Sequence, residues 1–252
     1  MKETLLEICV DSVESAIAAK NGGADRLELC SNLIIGGTTP GLGLYRMAAE
    51  KTGLPVRVLI RPRFGDFCYS PYEKGLILEE IRQFRQAGVQ GVVIGALRPD
   101  GSLDRPFLEQ CMGEAGGCRV TCHRAFDMCS CPESALEELI GLGVDTVLTS
   151  GQAASAEQGR QLLEKLNLQA RGRIRLLAGG GVCASSIPGL YRKAGIRHFH
   201  LSAKSELDSR MKYRNPAVSM GVAGLSEYII WQTDEKKVRE VRSVLDELEK
   251  KE

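Results

Sequence analysis

Five ionisable side chains in this sequence fall inside short β-rich runs, at positions that would ordinarily be apolar. Glu7 lies in Leu-Leu-Glu-Ile-Cys-Val (5–10), Glu28 in Arg-Leu-Glu-Leu-Cys (26–30), and Arg61 ends Val-Arg-Val-Leu-Ile-Arg (56–61). His123 ends Arg-Val-Thr-Cys-His (119–123), and His200 lies inside His-Phe-His-Leu-Ser (198–202). Side chains alternate between the two faces of a strand. Leu6, Ile8 and Val10 therefore oppose Glu7 and Cys9, and Leu27 and Leu29 oppose Arg26, Glu28 and Cys30. Val58 and Ile60 oppose Leu59 and Arg61; Val120 and Cys122 oppose Thr121 and His123; Phe199 and Leu201 oppose His198, His200 and Ser202. A buried charge must be paired or must face a ligand. The five are thus either a structural ion network or part of a site.

As chemistry, Glu7 and Glu28 could act as general base and general acid. Arg61 would hold an anionic group or a developing oxyanion, and His123 would shuttle a proton. Asp127, four residues on, would orient a loop partner. Polar segments after the same runs supply candidate substrate-binding groups: Asn32, Arg63, Arg124, Ser150, Gly179, Gly180, Gly181, His200 and Ser202. Arg61 and Arg63, two apart, suit a carboxylate or phosphate clamp. Gly179-Gly180-Gly181 ahead of a helix could cradle an anion, or could be only a tight left-handed turn.

The elements that must position these groups alternate. Eight β-rich runs occur at 5–10, 26–30, 56–61, 91–95, 119–123, 145–149, 174–178 and 198–202, with room for one helix in each gap. Ser12 reads as a helix cap, with Asn21-Gly22-Gly23 as the stop. Pro71 and Pro132 suit first helical positions, and Asp234 opens a last helix with Val238, Val241, Leu245 and Leu248 on one stripe. Eight strand–helix repeats predict an α/β TIM-type (β/α)8 barrel forming one domain over 1–252. A doubly wound sheet fits less well, because Val10-Asp11-Ser12 after the first run lacks a Gly-rich fingerprint. His123 and Arg61 end their strands, where such barrels carry catalytic groups. Tyr213-Arg214-Asn215-Pro216 falls in a long connection that closes over the mouth or makes an oligomer contact, and Trp231 is expected in packing or at an interface.

Composition narrows the class. The chain has 252 residues, 33 Lys plus Arg and 32 Asp plus Glu. Such balance argues against nucleic acid or a membrane surface as partner. No apolar run approaches the roughly 20 residues of a membrane span, and no secretory leader is expected at the start. Nine cysteines cannot all pair internally, so reduced thiols in the cytoplasm are expected. The expected partner is a small molecule, and Arg61, Arg63 and the Gly179–Gly181 turn point to an anionic one.

Several motifs together resemble the CutC family. They are Glu-Ile-Cys-Val-Asp-Ser (7–12), Gly-Gly-Ala-Asp-Arg-Leu-Glu-Leu-Cys-Ser-Asn (22–32), Gly-Gly-Thr-Thr-Pro (36–40), Ile-Arg-Pro-Arg (60–63), His-Arg-Ala-Phe-Asp-Met (123–128), Leu-Thr-Ser-Gly (148–151), Gly-Gly-Gly-Val (179–182), Phe-His-Leu-Ser-Ala (199–203) and Met-Lys-Tyr-Arg-Asn (211–215). The likeness spans essentially the whole chain. It implies a TIM barrel, a cytoplasmic homo-oligomer (dimer or higher) and a role in copper homeostasis, with Cys9 and Cys30 as Cu(I) ligands. Phe64 departs from the family's usual Arg-Gly-Gly-Asp-Phe. Soft thiolates suit Cu(I), but two small core residues filling a barrel layer would look the same. Cys129-Ser130-Cys131 offers a second, loop-borne pair. Acid–base catalysis on a small phosphate-, carboxylate- or sugar-bearing substrate, and non-catalytic metabolite sensing, stand as alternatives.

Overall fold

The computed structural model describes residues 3–218, 220 and 224–251. Eight parallel strands close into a barrel in chain order: β1 (Leu5–Val10), β2 (Arg26–Leu29), β3 (Val56–Leu59), β4 (Gly91–Ile94), β5 (Arg119–Cys122), β6 (Thr146–Thr149), β7 (Arg175–Ala178) and β8 (His198–Leu201). β8 pairs back onto β1. The helices outside are α1 (Val13–Asn21), α2 (Leu42–Thr52), α3 (Pro71–Gln86), α4 (Arg105–Ala115), α5 (Pro132–Gly141), α6 (Arg160–Ala170), α7 (Ile187–Ala194) and α8 (Glu235–Glu249). The expected TIM-barrel architecture is the observed one.

Local chemistry explains the helix starts. The Ser12 hydroxyl accepts from the Ser15 amide, satisfying a first-turn donor. Ser70 and Glu73 cap each other's backbone amides, with Pro71 at the first helical position. The Asp234 carboxylate receives the Lys236 amide, and the apolar stripe of α8 is buried between α1 and α7, closing the ring.

The main core lies between strands and helices, built from Leu6, Ile8, Leu27, Leu29, Val58, Ile60, Phe126 and Phe199 among others. The barrel interior differs. Its apolar content is a small cluster of Cys9, Cys30, Leu59 and Val93, together with Leu148 and Leu177, which alternate with the core-facing Val147, Leu176 and Ala178. Much of the rest is charged or hydroxylic: Glu7, Arg26, Glu28, Arg57, Thr121, Thr146 and His200 are all buried. Arg57 donates to the Thr121 hydroxyl and, at 3.1 Å, to the Thr146 hydroxyl, spanning from β3 to β5 and β6.

One element departs from expectation. Between β8 and α8 stands an antiparallel hairpin, β9 (Lys204–Asp208) and β10 (Ile229–Thr233), with Thr233 opposite Lys204. Only β10 has a β-rich sequence; Lys-Ser-Glu-Leu-Asp lacks apolar alternation, so the pairing carries half a signal. Trp231 on β10 is half-buried, with the Lys204 ammonium 4.8 Å from its ring centroid. Tyr213 is exposed, and Arg214 turns to Asp208 at 2.7 Å.

Replacing Arg57 with Ala leaves two buried hydroxyls without their shared donor and opens a void. A loss of about 3 kcal/mol in urea-unfolding stability is expected; a loss below ~1 kcal/mol would show that the interior does not depend on this span.

Candidate functional site

Strand register assembles the centre. On β1, Glu7 is paired with Arg26 of β2 on one side and His200 of β8 on the other, and Cys9 is paired with Glu28. Arg26 Nε donates to Glu7 Oε2 at 2.5 Å, and His200 Nδ1 lies 2.8 Å from Glu7 Oε1. The other ring nitrogen of His200 lies 3.4 Å from Glu28 Oε2. A buried carboxylate thus fixes one face of an imidazole whose opposite face meets a second carboxyl.

The environments drive the two carboxyls apart. Burial alone would raise Glu7, but Arg26, the bond to His200 and Arg57 outweigh it and bring its pKa to about 2. Burial lifts Glu28 to about 7, helped by the Glu7 charge and opposed by His200 and the two arginines. Burial would lower His200; Cys9, Glu28 and Glu7 reverse that and hold its pKa well above the ordinary value. His198, two residues earlier, lies near Arg26, Arg175 and Arg57, and burial with those charges brings it to about 4.

At the mouth, a 160 Å³ cavity is lined by Cys9, Glu28, Cys30, Arg61, Phe67, His123, Arg124 and His200 together with Leu33, Gly36, Leu59 and Leu148. Arg61 directs its terminal nitrogens to the carbonyls of Gly36, Gly37 and Gly65, at 3.1, 3.1 and 2.8 Å, so it organises the loops after β2 and β3. The His123 ring lies 4.9 Å from that of Phe67, and its Nδ1 accepts from the Ala125 amide at 3.1 Å. A Cβ on Gly95, just past β4, would fall 2.6 Å from the ring, so only glycine leaves room for the imidazole there.

A 580 Å³ groove shares Cys9, Arg124 and His200 with this cavity and adds Gly180, Gly181, Ser185, Ser202, Lys204 and Lys237. Asp127 receives Arg124 Nε at 2.7 Å, the Thr149 hydroxyl at 2.5 Å and the Ser150 and Gln152 amides. Arg124 also donates to the Ser150 hydroxyl at 2.9 Å. Gly180, at φ +92°, lets the backbone pass against this pair: a Cβ there would lie 3.1 Å from Ser150 Cβ and 3.3 Å from Arg124 Cζ.

The structure therefore brings Glu7, Glu28, Arg61, His123 and His200 together, with Cys9 and Cys30. Asp127 faces the Arg124 loop rather than the cavity. Arg63 is not a clamp beside Arg61: its nitrogens are taken by Glu73, Asp66 and the carbonyls of Phe64, Asp66 and Cys68. Asn32 bonds Thr38 and lines a neighbouring 370 Å³ cavity with Asp11, Ser202, Trp231 and Cys9. Gly179 is covered, its absent Cβ replaced by the Leu148 side chain. The helix after the Gly-rich turn begins only at Ile187, so no helix N-terminus directly follows Gly181. The sequence places Arg26 on the inner face without making it a site group, and Arg57 is not singled out at all. Arg26 has the same parity as Glu28 and Arg57 the same as Arg61, and that was the available signal. Lys204 and Lys237 had none, because they reach the groove from the hairpin and α8.

As metal donors, Cys9 and Cys30 share one cavity wall. Burial first, and then the Glu28 and Cys9 charges, keep the Cys30 thiol protonated well above its ordinary range, so a soft ion would have to displace that proton. Two sulfurs fit Cu(I) by donor type. Donor atoms of Cys9, Glu28 and His200 also lie within 4.8 Å of one another, a mixed set that could hold an ion. Cys129 is buried near Gln152 while Cys131 is exposed beside Ser134.

Fold and site together define a (β/α)8-barrel protein with a cavity bordered by ionisable side chains at the C-terminal ends of its strands. The CutC family description matches residues 4–205. A CutC protein of Bacteroides fragilis is 47% identical over 251 residues, covering 99% of this chain and 98% of that one. The human copper homeostasis protein cutC homolog is 46% identical over 244 residues, 95% of this chain and 88% of that one. The crystal structure of a CutC protein from Streptococcus agalactiae superposes with a TM-score of 0.75 at 28% identity, over 79% of this chain and 98% of that one. The chain belongs to the CutC family.

Glu28 supplies a stability test. Its folded pKa of about 7 exceeds the ordinary 4.5, so folding takes up a proton between those values and the ionised carboxylate opposes folding above them. Glu28→Gln is expected to raise the melting temperature at pH 8, with an upper limit of about 3 kcal/mol. The gain should shrink toward pH 4.5; a lower melting temperature at pH 8 would contradict the assignment.

Proposed function

We propose that this chain is an enzyme acting by acid–base chemistry on a small anionic substrate at the barrel mouth. The observation that carries the reading is Glu28: a carboxyl poised near neutrality, opposed to an imidazole that Glu7 locks, and open to the 160 Å³ cavity. Pairs of titratable groups driven apart by their surroundings are the mark of an assigned acid and base. The groove edged by Arg124, Gly180, Gly181, Lys204 and Lys237 would take a phosphate or carboxylate on the same substrate. Nine unpaired cysteines agree with a reducing cytoplasm. The exposed Leu207, Ile229 and Ile230 on the hairpin favour association of copies.

The test is a turnover screen over phosphate- and carboxylate-bearing small molecules. Glu28→Gln should lower kcat at least ~10²-fold with binding retained. With Glu28 as base, kcat should rise with pH and level off above about 7. Arg124→Ala should weaken binding of the anionic ligands about tenfold or more. Ligands that bind and are never converted would make the protein a metabolite sensor instead.

A second reading, Cu(I) binding in copper homeostasis, is favoured by the shared cluster of Cys9 and Cys30 and by the name of the human relative. It requires that Cys9→Ser with Cys30→Ser abolish stoichiometric Cu(I) uptake in a competition titration; unchanged uptake removes it.

A further inference from the structure

Within the cavity, one polar group has a defined proton and nowhere in the protein to place it. His123 is 5% exposed. Its Nδ1 accepts from the Ala125 amide, and an amide can only donate, so Nδ1 carries the lone pair. In the neutral ring the proton then sits on Nε2. Burial and the Arg61 charge lower the His123 pKa to about 3, so the ring stays neutral at working pH. Among the described residues Nε2 has no hydrogen-bond partner. Buried donors are satisfied almost without exception, so a lone one at a cavity wall marks where a ligand acceptor belongs.

The surroundings say what kind of acceptor. The ring is wedged between Phe67 and the Gly95 backbone, so its donor is held in place rather than free to seek another partner. Arg61, whose Nε also has no hydrogen-bond partner among the described residues, brings a fixed positive charge beside it. The same cavity is bounded by Glu28 and by His200, the pair that can take and return a proton. A rigid donor next to a cation, sharing one cavity with a base, is the arrangement that stabilises an oxygen gaining negative charge while a neighbouring carbon loses a proton.

Building on the acid–base reading above, we propose that the substrate is a small carbonyl compound bearing an anionic group, and that the reaction is proton transfer α to the carbonyl, with His123 Nε2–H bonding the carbonyl oxygen. The Glu28 carboxylate takes the α-hydrogen as a proton. The C–H electron pair becomes the carbon–carbon double bond of an enolate, and the carbonyl π pair moves onto the oxygen facing His123. Return of the proton to the same carbon gives exchange or epimerisation; where the α-carbon carries a hydroxyl, that hydroxyl's proton passes to the enolate oxygen, the hydroxyl-bearing carbon becomes the new carbonyl, and return of the abstracted proton to the former carbonyl carbon gives the isomer. No oxidant, reductant or second substrate is required. The anionic group lies in the adjoining groove at Arg124 and Gly180.

The experiment incubates the full chain in D2O with glycolaldehyde phosphate, dihydroxyacetone phosphate and pyruvate. Loss of α-proton signal is followed by NMR, and binding of each compound is measured in parallel. Exchange should occur, and His123→Gln should slow it about 10²–10³-fold with KM changed less than about threefold. Exchange at the wild-type rate in His123→Gln overturns the proposal. Arg124-dependent binding without exchange also overturns it, while leaving the anion-binding part of the function intact; absence of Arg124-dependent binding removes both. In the unmodified protein, ¹⁵N shifts of His123 should report a neutral ring protonated at Nε2 from pH 5 to 8. An imidazolium or an Nδ1–H tautomer in that range refutes the donor role without any variant having to fold.

Discussion

Glu7 is the group on which the rest of the site depends. A closed parallel barrel encloses a volume that side chains must fill, and here a carboxylate with a pKa of about 2 stands in it. Arg26 neutralises it from the neighbouring strand, and His200 bonds it from the other side. Because both partners are set by strand register, the ion pair cannot form unless β1, β2 and β8 are aligned as they are. Remove the carboxylate and a buried arginine is left uncompensated, which costs more than the pair contributes.

The same contact reaches the chemistry. By holding Nδ1, Glu7 fixes the plane of the His200 ring and leaves its other nitrogen to Glu28. By being negative, it helps hold the Glu28 proton. One carboxyl is spent on structure so that the other can titrate near neutrality. Around this centre the loops are tied by charged side chains acting on backbone: Arg61 on three carbonyls after β2 and β3, and Asp127 on the amides after β6. The mouth is thus rigid where His123 and Arg124 must be placed.

Much of this was legible in the sequence, because strand periodicity is strict. Alternation alone put Glu7, Glu28, Arg61, His123 and His200 on inner faces, and the eightfold repeat closed the barrel that joins them. The period ends where the strands end. Arg63 reads as a twin of Arg61, yet one backbone turn later it belongs to Asp66 and Glu73. Asp127, on a short 3-10 turn, reads as the orienter of a loop partner, but which loop it ties, the one after β6, has no signal in the strand period. The β9–β10 hairpin is hidden because β9, with Leu207 as its one apolar residue, has no alternation to read. Which carboxyl would titrate was hidden as well: Glu7 and Glu28 look equivalent until Arg26 is seen to bond only the first.

The charged interior also bears on how the molecule comes together. Most barrels would expose a sticky inner face if a strand detached before closure. Here an opened barrel shows water a lining rich in carboxylates, guanidinium groups, hydroxyls and imidazoles, with Cys9, Cys30, Leu59, Val93, Leu148 and Leu177 as its apolar part. The pull toward closure then comes from the outer layer, including α8, which follows all eight strands in the sequence and is seated between α1 and α7. A nascent chain can wait for that helix with its inner face hydrated, which favours completion over aggregation.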